Sequence, residues 1–67
     1  MITLTVNGKP KDLAKRVTLD QFLQDNSVDS QFVAVAHNGN ILHREEFGAV
    51  LLANGDVVEI VRPVGGG

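Results

Sequence analysis

The sequence predicts an α+β fold in which one helix lies across one face of a mixed sheet. Three observations carry that reading: a strict alternation over residues 2–6, a helix-start signal at Thr18, and Asn-Gly turns that cut the remainder into short strands. At 67 residues the chain accommodates one domain, because a second hydrophobic core would leave each half too small to fold unaided.

Ile2, Leu4 and Val6 alternate with Thr3 and Thr5, the period-two pattern of a strand that buries one face. Asn7-Gly8 tolerates positive φ at both turn positions, so residues 9 to about 14 return antiparallel as a second strand. Pro10 lacks an N–H and makes this an edge or irregular strand. Thr18-Leu19-Asp20-Gln21 reads as a capping box, with the Thr18 hydroxyl on the Gln21 amide and the Gln21 side chain reaching back to Thr18. Leu19, Phe22 and Leu23 form one apolar stripe, and Asn26 or Ser27 ends the helix. Residues 32–37 form a short strand running into Asn38-Gly39, and Ile41 and Leu42 follow as the return of a hairpin or the far side of a tight strand turn. Arg44-Glu45-Glu46-Phe47 is polar with one aromatic anchor, and Val50-Leu51-Leu52 is a buried stretch before the turn at Asn54-Gly55-Asp56. Residues 57–64 make the last strand, with Val58 and Ile60 facing the core, Glu59 and Val61 facing away. The expected core is built around Leu4, Phe22, Val58 and Ile60.

Composition excludes several functions. Apolar residues make up 43% and charged residues 21%, the balance of a globular domain, and no run approaches the roughly 20 apolar residues of a membrane span. The start, Met1-Ile2-Thr3-Leu4-Thr5, has no signal-peptide character, so the expected compartment is the cytoplasm. The absence of cysteine removes disulfides, thiolate metal sites and side-chain persulfides. With a net charge of -2, the cluster of Lys9, Lys11, Lys15 and Arg16 is a solvated edge rather than a nucleic-acid footprint, and a protein partner fits better. His37 and His43 are read as surface or turn histidines, and no metal is expected.

The ending is less generic. Asn54-Gly55-Asp56-Val57-Val58-Glu59-Ile60-Val61-Arg62-Pro63-Val64-Gly65-Gly66-Gly67 resembles the close of the sulfur carrier proteins of thiamine biosynthesis. Val6-Asn7-Gly8, Thr18-Leu19, Val35-Ala36-His37-Asn38-Gly39 and Arg44-Glu45-Glu46-Phe47 are similar to that family in the same order, so the resemblance spans essentially the whole chain. It departs at Phe47, where the family commonly has Trp or another aromatic, and ahead of the final glycine pair, where the residue varies. The resemblance implies the β-grasp, ubiquitin-like fold over residues 1–64, with 65–67 a flexible glycine tail.

It also implies a chemistry. The Gly67 carboxylate is adenylated by an E1-like partner enzyme that uses ATP, becomes a thiocarboxylate through a sulfur donor of the cysteine desulfurase type, and passes sulfur to a thiazole synthase. A carboxylate is a poor acyl donor, so an anhydride leaving group is required before sulfur enters. Gly65, Gly66 and Gly67 lack Cβ atoms and thread a narrow active site. The carrier is a protein co-substrate, not an enzyme, contributing no catalytic side chain and binding no cofactor of its own. Val61, Pro63 and Val64, ordinary exposed apolar residues on a bland reading, form a docking patch beside the tail. Three other readings remain: the small subunit of molybdopterin synthase, which shares fold and tail; a ubiquitin-like modifier joined to lysines of targets; and a plain interaction module with no use for a terminal Gly-Gly.

Overall fold

The alternating segment does form a strand, β1 (Ile2–Val6), with Ile2 and Leu4 buried. The computed structural model describes residues 1–62. Asn7 (φ 50°) and Gly8 (φ 80°) supply the two left-handed positions of the first turn, and β2 (Lys9–Leu13) returns in the register Val6↔Lys9 to Ile2↔Leu13. Pro10 lies opposite Thr5 on this outermost strand, where an absent N–H leaves no neighbour unpaired.

The helix α1 (Leu19–Asp25) begins as expected, with Thr18 Oγ1 accepting from the Gln21 amide at 3.1 Å. The expected box is only half formed, because the Gln21 side chain donates to Asp25 Oδ1 at 2.8 Å, one turn further on. An isolated antiparallel bridge between Thr18 and Leu51 holds the approach instead, with Leu19 N donating to Val50 O and Leu52 N to Val17 O. Arg16 joins this seam by donating from Nε to Leu52 O at 2.9 Å, so it is pinned rather than merely solvated as the sequence suggested. At the other end Ser27 N donates to Gln24 O and Val28 N to Leu23 O, the paired bonds of a Schellman motif. Asn26 caps the helix, and Ser27 occupies the left-handed position at φ 58°.

Strands β3 (Ala34–His37) and β4 (Asn40–Leu42) form a hairpin around Asn38-Gly39, paired from Val35↔Leu42 to His37↔Asn40. Strand β5 (Val57–Val61) sits in the middle of the sheet, in the order β2-β1-β5-β3-β4. It runs parallel to β1 and antiparallel to β3, which makes the sheet mixed. Leu19, Phe22 and Leu23 of α1 close over Ile2, Leu4, Val35 and Val58 of the sheet, with Phe47 and Leu52 completing the core. Phe47 is the anchor of a 3-10 helix (Arg44–Ala49), whose entry is fixed by His43 N donating to Glu46 Oε1 at 2.8 Å.

Four expectations need correction. Residues 32 and 33 are not strand: Phe32 closes a 3-10 turn (Ser30–Phe32) and is 67% exposed, because Asp29 Oδ1 takes the Gln31 amide at 2.9 Å and winds the chain locally. Ile60 is half-buried and packs against the core rather than within it, since it lies where the helix cover thins near the end of β5. Of Val50-Leu51-Leu52 only Leu52 is buried, because the bridge to Thr18 turns Leu51 outward. Strand β5 ends at Val61, and Pro63 and Val64, which the sequence placed in it, lie outside the described residues.

An L-residue in the left-handed region is strained where glycine is not, and glycine's extra freedom in the unfolded chain offsets part of that gain. Ser27→Gly should therefore stabilise the fold by roughly 0.5–1 kcal/mol. Urea unfolding checks this, and an unchanged or lower midpoint would show that Ser27 holds its conformation without cost.

Candidate functional site

The chain leaves the sheet at Arg62, directly after the central strand, so the geometry of β5 decides what precedes the glycine tail. Val58 and Ile60 point to the helix side, and Val57, Glu59 and Val61 to the open face, as the alternation required. Val61 is 58% exposed. Register places Ala34 beside Val61, Ala36 beside Glu59, and Ile41 beside Ala36. These residues line a shallow apolar groove on the open face, with Ile41 81% exposed. Of the sequence-predicted site, Val61 is thus on the surface and next to the exit. Pro63, Val64, Gly65, Gly66 and Gly67 lie outside the described residues.

Sequence reading missed what holds β5 in place. The backbone amides of Thr5 and Asn7 donate to Asp56 O and Val58 O, each at 2.9 Å, in the two-residue step of a parallel ladder. Beyond Asn7 the chain turns into β2, and the next rung is made by a side chain: Asn7 Oδ1 accepts from Ile60 N at 2.7 Å, and Asn7 Nδ2 donates to Ile60 O at 3.2 Å. Asn38 brackets the start of the strand from the other edge, its Oδ1 accepting from Val57 N at 2.8 Å and its own amide donating to Val57 O at 2.8 Å. The third turn asparagine, Asn54, accepts from Thr3 N at 2.8 Å, while Gly55 N donates to Thr3 O. The signal was present, since asparagine rather than aspartate stands at all three turns and carries both a donor and an acceptor.

The turn before β5 is locked by Asp56. Its carboxylate lies 2.8 Å from His37 Nε2, takes the Ala53 amide at 2.9 Å and accepts from Asn38 Nδ2 at 3.2 Å. Burial pushes the Asp56 carboxyl up, but the bonds from His37, Ala53 and Asn38 outweigh it and hold the group below its ordinary value. His37 is accordingly a half-buried partner of this turn, and His43 precedes the 3-10 helix.

Against this geometry the comparisons are specific. The family model of ThiS matches residues 4–67, and the chain belongs to the ThiS family. It is 35% identical to the sulfur carrier protein ThiS of Bacillus subtilis, over 96% of this chain and 98% of that protein. The crystal structure of a thiamine biosynthesis protein, ThiS, from Geobacter metallireducens superposes with a TM-score of 0.86 at 38% identity, covering 98% of this chain and 100% of that one. The β-grasp expectation is thereby met. A thiazole synthase of Paramagnetospirillum magneticum is 34% identical over 96% of this chain, which spans only 20% of that protein's length. A thiazole synthase of Magnetococcus marinus is similar in the same way, with 19% of its length spanned.

Asp56 is more readily ionised folded than unfolded, so its contribution is complete above the unfolded value of about 3.9 and is lost as pH falls through the lower folded value. Thermal melts of the parent and Asp56→Asn should differ fully near about pH 6, and the gap should narrow below about pH 4. A gap that held constant into acid would show that the turn does not depend on the charge.

Proposed function

We propose that this ThiS-family chain is a sulfur carrier of thiamine biosynthesis whose working group is the acyl carbon of Gly67. The observation that supports this most is that the family match runs through the glycine tail to residue 67, behind a central strand that ends at Val61. An E1-like enzyme uses ATP to adenylate the Gly67 carboxylate, an oxygen attacking the α-phosphorus as pyrophosphate leaves. The terminal sulfur of a persulfide on a donor of the cysteine desulfurase type then attacks the acyl carbon and displaces AMP, leaving an acyl disulfide, and a thiol reductant cleaves the S–S bond to release the thiocarboxylate. The resulting thiocarboxylate is delivered to a thiazole synthase, in keeping with the likeness of this chain to one part of two such enzymes. The chain has no cysteine on which sulfur could otherwise ride.

Binding falls to the open face of the sheet. Val61, with Pro63 and Val64 after it, forms the docking patch beside the tail, and Ala34, Ala36 and Ile41 extend it across β3 and β4. Gly65, Gly66 and Gly67 enter the partner's active site, where the absence of Cβ atoms allows close passage. The carrier needs no acid or base of its own, because the partner orients the acyl group.

Incubated with ATP, its adenylating enzyme, a persulfide donor and a thiol reductant, the intact protein should gain the mass difference between sulfur and oxygen, located in C-terminal fragments. One residue appended after Gly67 should abolish the gain with no change in the melting curve. Thiolation of the extended protein, or a shift in fragments lacking Gly67, would overturn the reading. Val61→Asp should weaken binding to the adenylating enzyme in titration calorimetry while leaving the fold intact. Equal affinity for both forms would remove Val61 from the interface.

A further inference from the structure

The Asn7 side chain sits at the one place where β5 would otherwise lose its neighbour. Strand β1 pairs with β5 through Thr5↔Val57 and Val6↔Val58 and then turns away at Asn7-Gly8. In a continuing parallel strand, one peptide unit would accept from Ile60 N and the next would donate to Ile60 O. Asn7 does both with a single carboxamide, at 2.7 and 3.2 Å. On the opposite edge β3 pairs with β5 as far as Ala34↔Val61. Both edges are therefore held to within two residues of Arg62, from which the chain continues towards Gly67.

We infer that Asn7 is a positioning residue for sulfur loading: its carboxamide stands in for the peptide unit that β1 lacks, and so fixes the direction in which β5 delivers the tail. The inference rests on the carrier function proposed above. Asn7 acts through the backbone of Ile60. It requires a side chain that tolerates positive φ and carries a donor and an acceptor on one short arm, which asparagine alone provides. Glycine satisfies the turn without the clamp. Aspartate keeps the acceptor for Ile60 N but sets a second oxygen against Ile60 O.

Asn7→Gly separates the two roles, since it keeps the turn conformation and deletes both side-chain bonds. Asn38→Gly is the matched control: it too keeps a positive-φ turn and removes side-chain bonds at β5, but at the start of the strand, away from the exit. Two measurements on the full chain decide the matter, amide hydrogen exchange at Ile60 and the steady-state rate of thiocarboxylate formation with ATP, the adenylating enzyme, a persulfide donor and a thiol reductant. Asn7→Gly should speed exchange at Ile60 and lower kcat roughly tenfold with KM unchanged, because the apolar open face still docks while the acyl group is presented loosely. Asn7→Asp should fail to restore the rate, and Asn38→Gly should leave kcat at the parent value. Unchanged exchange at Ile60 in Asn7→Gly would overturn the clamp itself. Faster exchange with an unchanged kcat, or equal loss of kcat in both glycine variants, would overturn the positioning role. A parent protein that takes up no sulfur would bring down the carrier reading, and the positioning role with it.

Discussion

Strand β5 joins the two halves of the sheet, between β1 and β3, and amide side chains complete its hydrogen bonding where those neighbouring strands stop. Asn38 closes its first residue from the β3 side, and Asn7 closes Ile60 from the β1 side. Without them the central strand would expose unpaired N–H and C=O groups at both ends, an invitation to fraying and to pairing with foreign strands. The core depends on the same placement, since Val58 is fully buried under α1 only in this register. A slip of one residue would send Val57, Glu59 and Val61 inward and Val58 out. Glu59 would then be buried without a partner, so the charge itself guards the register.

The two faces of β5 differ in kind, and the proposed function divides stability and exchange with partners between them. The helix side is filled by aliphatic residues, Phe22 and Phe47, with no buried polar residue among the described positions. The open side carries Val61, Ala34, Ala36 and Ile41 around a single carboxylate, Glu59. A monomer can tolerate a patch of this size in water, and a partner can cover it without any rearrangement of the core. The proposed working group lies past the end of the strand, so chemistry at Gly67 makes no demand on packing at Leu4 or Phe22. Carrier and scaffold functions are thereby uncoupled in one small domain.

Local rules made much of this legible. Alternation placed Val61 on the open face, the Thr18 cap opened the helix, and positive-φ residues marked all three turns. What escaped was non-local or depended on competition between neighbours. The bonds from Asn7 and Asn54 reach residues 53 and 51 positions away, and nothing in a window around an Asn-Gly pair predicts such a partner. Phe32 looks like a strand residue, but Asp29 captures the following amides and the turn wins. The Gln21 side chain could reach back to the Thr18 backbone or on to Asp25, and Asp25 took it. Ile41 became part of the open face only through its pairing with Ala36, a register the sequence did not fix.

The parallel pairing of β1 with β5 also joins residues from opposite ends of the described chain. Hairpins β1–β2 and β3–β4 and the helix α1 are local and can form as soon as their residues exist, whereas β5 must close a loop that spans most of the described chain. Its pairing with β3, from Ala34↔Val61 to His37↔Val58, closes a much shorter one. The chain continues from Arg62, directly after a strand whose partner on one side comes from the opposite end of the described chain, so the two ends of the sequence share one seam of the sheet.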